Sequence, residues 1–182
     1  MAFDIPKVSY TGKIKEVTLG VGPRAVTVGG ETCYPFYQFE GEMPNTPRIA
    51  MEVCDVSPEE WPEAVIEPFR DVASDPVAWS RKCIDVYGAD MICLHLSSTD
   101  PNGMNRPAEE AVETARKVAE AVEVPLIVWG SENEEKDADV LRKVAEACQG
   151  KRLILGPVVE GNYKAIGAAA IGYKHTVVAT SP

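Results

Sequence analysis

A glutamate and a histidine lie in two separate apolar runs whose pattern is typical of β-strands. His95 belongs to the run Met91–Leu96 and Glu52 to the run Ile49–Val56. Side chains alternate between the two faces of a strand, so the branched apolar residues of each run should pack against helices and leave Glu52 and His95 pointing inward. A buried carboxylate needs a partner, and the sequence therefore predicts a hydrogen bond between these two side chains.

Two roles fit such a pair. Histidine titrates near neutrality, so the two side chains could act as an acid and a base. They could also form a polar layer inside the fold, and their positions in the middle of the strands favour this structural role. No catalytic residue is assigned on this basis.

Polar residues collect in the loops that follow the strand-like runs. Such loops could hydrogen-bond a large polar ligand, although serine, aspartate and asparagine also serve as turn formers and helix caps. The candidate ligand-binding residues are Asp55, Ser97, Ser98, Thr99, Asp100, Asn102, Gly130, Ser131, Glu132, Gly156, Glu160, Asn162, Thr180 and Ser181.

The cysteines and histidines give no signature of a metal centre. The five cysteines are scattered without a CxxC motif, and their apolar surroundings indicate reduced core thiols. Two histidines are too few for a multi-histidine site, so no metal ligands are expected. The chain also lacks HExxH, GxSxG and phosphate-loop motifs, and residue chemistry alone supports only a binding protein.

The elements that would position these residues alternate between strand and helix. Apolar runs recur about every 31 residues, which is the unit length of a (β/α)₈ TIM barrel. Amphipathic segments lie between them, and Pro107–Val122 is the clearest. The others are Asp137–Cys148, a segment that opens with Asp75-Pro76, and a segment rich in alanine and glycine at about Asn162–Tyr173. Residues 48–182 are therefore predicted to form an α/β fold of barrel type, truncated after about five βα units, with Glu52 and His95 in its lumen. A doubly wound sheet is the rival, but its GxGxxG motif is absent.

Residues 1–47 lack the alternation of strand-like and helical segments that marks the rest of the chain. Two short β-favouring runs, Glu16–Leu19 and Ala25–Val28, flank a glycine-rich turn and predict a β-hairpin. An aromatic stretch, Tyr34–Phe39, follows. We expect this N-terminal segment to act as a lid over one end of the larger body.

Charge and hydropathy exclude several classes of partner. The formal net charge is −10, and no cluster of basic residues forms a groove for phosphates, so nucleic acid is not expected as a partner. No apolar run is long enough to cross a membrane, and the N-terminus lacks the features of a signal peptide. A cytoplasmic location is expected.

Short motifs along almost the whole chain resemble a known family, the small subunit of the corrinoid iron–sulfur protein, equivalent to the delta subunit of the acetyl-CoA decarbonylase/synthase complex. The motifs that carry the resemblance are Glu16–Gly20, Thr27–Glu31, Pro35-Phe36, Phe39–Asn45, Ile49–Val53, Asp75-Pro76, Gly88–Asp90, His95-Leu96, Ser98–Asn102, Val124–Gly130 and His175–Pro182.

The resemblance implies a non-catalytic methyl-carrier subunit of the reductive acetyl-CoA pathway of carbon fixation. Such a small subunit forms a heterodimer with a larger subunit that carries an iron–sulfur cluster. The strand-end loops of the small subunit help to hold cobalamin between the two subunits. The small subunit has no cluster of its own. The methyl group would come from methyltetrahydrofolate through a methyltransferase and pass to acetyl-CoA synthase. Members of the family complete the barrel, whereas five units are visible here.

Two other functions remain open. A pterin-binding methyltransferase barrel would use strand-end residues such as Asp55, Asp100 and Asn102 on the pterin. A purely structural interaction subunit would use the barrel as a scaffold only.

Overall fold

The N-terminal part of the chain forms a small antiparallel hairpin, as predicted. The computed structural model describes residues 4–8 and 11–181. Strand β1 (Val17–Leu19) pairs with β2 (Val26–Val28), and a 3₁₀ turn over Gly22–Arg24 joins them. Gly20 follows β1 with a φ of 76° and lies against Pro125, close to the start of a strand of the main sheet. The hairpin is therefore docked at the amino-terminal ends of the main strands, the rim opposite to the predicted ligand loops.

The aromatic stretch after the hairpin is exposed. Tyr34, Phe36, Tyr37 and Phe39 are all accessible, and Tyr37 packs against Tyr34 and Phe39 with ring centroids 6.3 and 5.7 Å apart. These rings contact one another on the surface. The domain boundary at residue 48 stays a prediction.

The main sheet has five parallel strands in sequence order, as the spacing of the apolar runs predicted. They are β3 (Ala50–Cys54), β4 (Met91–His95), β5 (Leu126–Trp129), β6 (Ile154–Val158) and β7 (Thr176–Ala179). Each strand pairs with the next, in the order β3-β4-β5-β6-β7. Parallel pairing of consecutive strands requires a crossover between them, and helices supply these crossovers.

Five helices follow the strands. They are α1 (Glu63–Ile66), α2 (Pro76–Asp85), α3 (Ala108–Ala121), α4 (Glu134–Ala147) and α5 (Tyr163–Tyr173). The Asp75 side chain accepts hydrogen bonds from the first turn of α2, and Asn133 caps α4 in the same way. Helices α2 to α5 contact one another in chain order and form a single layer.

This layer covers only one face of the sheet. Val53, Ile92, Leu94, Val128 and Leu155 point toward the helices and are fully buried. On the opposite side, residues such as Cys93, His95, Ile127 and Trp129 remain partly exposed. We call this side the open face. A doubly wound sheet would carry helices on both faces, so the arrangement is consistent with one segment of a (β/α) barrel.

A closed barrel is not formed by the described residues. Strands β3 and β7 each pair with one neighbour only, at the two ends of the five-stranded sheet. None of the helices in the described part of the chain is long and apolar enough to span a bilayer.

Candidate functional site

The predicted contact between Glu52 and His95 is present on the open face. The Nδ1 atom of His95 lies 3.0 Å from Oε1 of Glu52. Strand register explains the contact, since Glu52 stands opposite Cys93 and Cys54 stands opposite His95 on the neighbouring strand. The expectation that the carboxylate is buried was wrong: the Glu52 side chain is 49% exposed and that of His95 29%. None of the residues that the structure describes forms a layer over the open face, so solvent reaches both groups.

A cavity of about 340 Å³ lies over this pair. It is lined by Glu52, Cys93, His95, Trp129 and Glu132. Its walls therefore combine the Glu52–His95 pair with the large aromatic ring of Trp129. Trp129 reaches it because its strand position pairs with His95 and shares the same face.

The two cysteines of the open face are poor nucleophiles. Burial raises the pKa of the Cys54 thiol to about 12, with the nearby Glu52 and Asp55 carboxylates adding to the shift. Burial likewise raises the pKa of Cys93 to about 11. A thiol must lose its proton to react as a nucleophile, and both thiols therefore remain protonated near neutral pH.

The loop after β4 is held together by Asp55. Its Oδ1 atom accepts hydrogen bonds from the Ser97 hydroxyl at 3.3 Å and the Ser98 backbone N–H at 3.0 Å, and Oδ2 accepts the Ser98 hydroxyl. The buried Thr99 hydroxyl donates to the Leu96 carbonyl at 2.8 Å, and Asp100 accepts from the Asn102 N–H at 2.8 Å. These candidate residues are thus occupied in shaping the turn.

Asp137, a residue that the sequence analysis missed, lies beneath the loop after β5. Its Oδ1 atom accepts the backbone N–H of Ser131 at 2.8 Å and the Ser131 hydroxyl at 3.0 Å. The side chain is fully buried, and its Oδ2 atom has no hydrogen-bond partner among the described residues. Burial raises the pKa of Asp137, while the hydrogen bonds from Ser131 and the nearby Glu132 N–H oppose the shift.

Gly130 permits this close approach. A Cβ atom at Gly130 would lie 2.4 Å from the Asp137 carboxyl group. Only glycine leaves room for the first turn of α4 to pack against the end of β5. Gly130, one of the predicted loop residues, therefore has a structural role.

A second cavity, of about 240 Å³, opens at the carboxyl ends of β5 and β6. Its walls include Trp129, Glu132, Asp137, Asn162 and Thr180. Trp129 and Glu132 line both cavities, so the two are adjacent, and together we call them the groove. Of the predicted residues, Glu132, Asn162 and Thr180 line the groove together with the pair Glu52 and His95.

Asn162 lines the groove, whereas Gly156, Glu160 and Ser181 take other positions. The Asn162 side chain is itself partly engaged, since Oδ1 accepts from the Val159 N–H at 2.8 Å and Nδ2 donates to the Pro157 carbonyl at 3.2 Å. Gly156 lies under the Trp129 ring, where a Cβ would come within 2.8 Å of it. Glu160 and Ser181 are exposed at the same rim.

Comparison with known proteins identifies relatives for almost the whole chain. The family model described as CO dehydrogenase/acetyl-CoA synthase delta subunit matches residues 16–182. The acetyl-CoA decarbonylase/synthase complex subunit delta of Archaeoglobus fulgidus is 42% identical, over 97% of this chain and 40% of the relative. The corresponding subunit of Methanothermobacter thermautotrophicus is 38% identical, over 97% of this chain and 45% of the relative. The chain therefore spans less than half the length of these curated relatives.

Proposed function

Because the chain belongs to the family of CO dehydrogenase/acetyl-CoA synthase delta subunits, we propose that it is part of a methyl-carrier subunit that helps to hold cobalamin. The proposal assigns the cofactor to the groove, the two adjacent cavities on the open face and at the strand-end rim. The observation that carries it is Asp137, a buried residue that lines the cavity at the carboxyl ends of β5 and β6 and whose Oδ2 atom has no hydrogen-bond partner among the described residues.

The groove residues fit the chemistry of a corrinoid. The ring is large and is fringed with carboxamide side chains, which both donate and accept hydrogen bonds. Asp137 suits such a group in either protonation state, because the carboxylic acid can donate through Oδ2 and the carboxylate can accept there. Trp129 offers an apolar ring surface, and the Thr180 hydroxyl offers a further donor and acceptor.

A bound corrinoid supplies a cobalt that can carry a methyl group, and that chemistry belongs to the cofactor. The residues of this chain would bind and orient it. The hydrogen bonds that Ser131 donates to Asp137 hold the carboxyl group in position, and the helix layer behind β5 and β6 keeps the strand ends rigid. The proposed partners are a large iron–sulfur corrinoid subunit, a methyltetrahydrofolate methyltransferase as donor and acetyl-CoA synthase as acceptor.

The contacts in the loop after β4 weigh against the pterin-binding alternative. That function would require Asp55 and Asp100 to be free for the pterin. Instead, Asp55 accepts hydrogen bonds from Ser97 and Ser98 of the loop after β4, and Asp100 accepts one from Asn102 within that loop. The extended groove at β5 and β6 favours a larger ligand.

The cofactor proposal is tested by titrating cobalamin into the chain alone and into the chain mixed with the large subunit, with binding followed by absorption and iron assayed in both samples. A groove on one subunit covers only one side of a flat ligand, so we expect weak binding to the chain alone and tight binding to the mixture. Tight binding to the chain alone, or stoichiometric iron in it, would overturn the carrier role.

Two variants locate the ligand within the complex. Trp129→Ala removes the aromatic wall of the groove and should weaken cobalamin binding. Ile171→Ala removes a large apolar side chain that is 83% exposed on α5, away from the groove, and should leave binding unchanged. Equal affinities of the two variants would place the cofactor elsewhere.

A further inference from the structure

We propose that Glu52, Cys54 and His95 form a binding site for a single zinc-type divalent cation on the open face of the sheet. Each residue offers one ligand atom, and the three atoms all lie within 4.8 Å of one another. Glu52 and His95 also line the groove assigned to cobalamin, but the metal site does not depend on that proposal, because Zn²⁺ binding is measured without the cofactor.

Strand geometry brings the three side chains together. Glu52 and Cys54 are two residues apart on β3 and so share a face, and His95 stands opposite Cys54 on β4. The Oε1 atom of Glu52 lies 3.0 Å from Nδ1 of His95 and 3.9 Å from Sγ of Cys54. Because two ordered strands carry the ligands, the site is largely formed before an ion arrives.

The spacing of the ligand atoms suits a tetrahedral ion. Bonds of about 2.0 Å to nitrogen and oxygen and about 2.3 Å to sulfur place tetrahedral ligand atoms roughly 3.3 to 3.6 Å apart. The two observed distances, 3.0 and 3.9 Å, lie on either side of this range. The third distance, between the ligand atoms of His95 and Cys54, is within 4.8 Å, so side-chain rotations would bring the three atoms to an ion with no change in the strands.

The set of donor atoms selects the kind of ion. Magnesium and calcium prefer sites made of oxygen atoms alone, whereas one imidazole nitrogen and one thiolate sulfur favour zinc. Binding of the ion would displace the proton of the Cys54 thiol, and the resulting thiolate and the Glu52 carboxylate carry two negative charges, which balance the charge of a divalent cation. This balance matters because Cys54 is only 4% exposed.

The fourth position of the ion would face the cavity. That space, of about 340 Å³, is lined by Glu52, Cys93, His95, Trp129 and Glu132. Three protein ligands with one open position leave room for water or for a group from a partner. The structure thus assigns a site with an exchangeable ligand, in contrast to a closed structural centre.

The test uses the full chain, purified without oxygen, freed of metal with EDTA and titrated with Zn²⁺ by calorimetry. We expect one equivalent to bind. Titration with Co²⁺ should produce the absorption band of a thiolate-to-cobalt transition, which reports directly on Cys54 as a ligand. A chain that binds no Zn²⁺, or a Co²⁺ complex without this band, would overturn the proposal.

Three near-isosteric variants test each ligand separately: Glu52→Gln, Cys54→Ser and His95→Gln. Removal of a residue that hydrogen-bonds to a metal ligand lowers metal affinity by about 10- to 100-fold. Removal of a direct ligand should therefore lower the affinity by at least about tenfold. Cys33→Ser is the matched control, because Cys33 is a free cysteine of the N-terminal segment and lies outside the site. Circular dichroism confirms that each variant folds. Wild-type affinity in all three ligand variants would contradict the site even if Zn²⁺ binds the chain.

Discussion

The Nδ1 atom of His95 lies 3.0 Å from the Oε1 atom of Glu52, across the boundary between the first two strands of the parallel sheet. Both side chains face solvent to an appreciable degree, at 29% and 49% exposure. Water therefore competes with the contact and screens it. The contact orients two polar groups at the mouth of a cavity more than it stabilises the fold.

Replacement of Glu52 by alanine should consequently have a small effect on stability. Exposed ion pairs contribute about 0.2 to 1 kcal/mol, and we expect Glu52→Ala to lower the free energy of unfolding by no more than this. The measurement is urea denaturation followed by circular dichroism. Leu94→Ala, a truncation of a fully buried neighbour on β4, should cost about 2 to 5 kcal/mol in the same assay. A loss of several kcal/mol in Glu52→Ala would show that the open face is covered in solution.

The buried Asp137 should make stability depend on pH. Its pKa is raised above the ordinary value of 3.8, so its contribution is complete below that value and is lost as the pH rises through the raised pKa. Asp137→Asn removes the ionisation. The free energy of unfolding of this variant, relative to wild type, should therefore increase as the pH is raised from about 3.5 toward neutrality.

A neighbouring carboxylate on the same helix provides the control. The hydrogen bond from Lys143 lowers the pKa of Asp139, so its contribution is present at neutral pH and is lost on acidification. Asp139→Asn should therefore become less stable, relative to wild type, as the pH rises. If the two variants shifted in the same direction, the burial of Asp137 would be contradicted.

His175 should destabilise the chain at acid pH. Its Nδ1 atom accepts the Leu153 N–H at 3.0 Å, and Nε2 donates to the Ala145 carbonyl at 2.8 Å. Burial lowers its pKa below the ordinary 6.5. Stability from this group is thus present above the unfolded-state pKa and is lost as the pH falls through the folded-state value, where a protonated Nδ1 would face the Leu153 N–H.

The measurement is the free energy of unfolding between about pH 8 and about pH 5. His175→Gln should lose stability at pH 8, by about 1 kcal/mol for each hydrogen bond that the amide fails to replace, and should remove this part of the pH dependence. His95→Gln, which alters the other histidine, should keep it. If the pH dependence of stability disappeared in His95→Gln and persisted in His175→Gln, the effect would belong to His95 and the prediction for His175 would be wrong.

Gly130→Ala should destabilise the strand-end rim. The added Cβ would meet the Asp137 carboxyl group at 2.4 Å, so either α4 or the loop after β5 must move. Gly167→Ala is the matched control, because the new methyl group on α5 meets no atom within 4 Å. Alanine is the better helix former by about 1 kcal/mol, and the control should raise the melting temperature while Gly130→Ala lowers it. Equal melting temperatures would mean that the rim is loosely packed.

Much of the fold follows from local rules that the sequence displays. The hairpin, the five strands and their order were confirmed because apolar runs and helical segments alternate at a regular spacing, and consecutive parallel strands tend to lie side by side. The Glu52–His95 contact was also confirmed, since it depends only on strand alternation and on the register of adjacent strands.

The site itself was harder to predict, for a physical reason. Polar residues after strands serve turns and ligands alike, and the sequence does not show that Asp55 is occupied by Ser98 while the Oδ2 atom of Asp137 has no partner among the described residues. Asp137 is hidden inside a helical pattern, where an aspartate usually faces water. Trp129 was assigned to a strand, but its role in the groove follows from its register with His95. The exposure of Glu52 depends on what covers the open face, which alternation within a strand does not determine.

The two outer strands of the main sheet have a consequence for how copies of the chain meet in solution. Within the described residues, β3 and β7 each leave one row of backbone N–H and C=O groups unpaired by a neighbouring strand, and Val177 on β7 is 38% exposed. Such edges are templates for the addition of another strand. The net charge of −10 opposes that contact by mutual repulsion, and salt near 0.15 M shortens the reach of this repulsion to about 8 Å. Ionic strength therefore governs whether these edges stay apart or join.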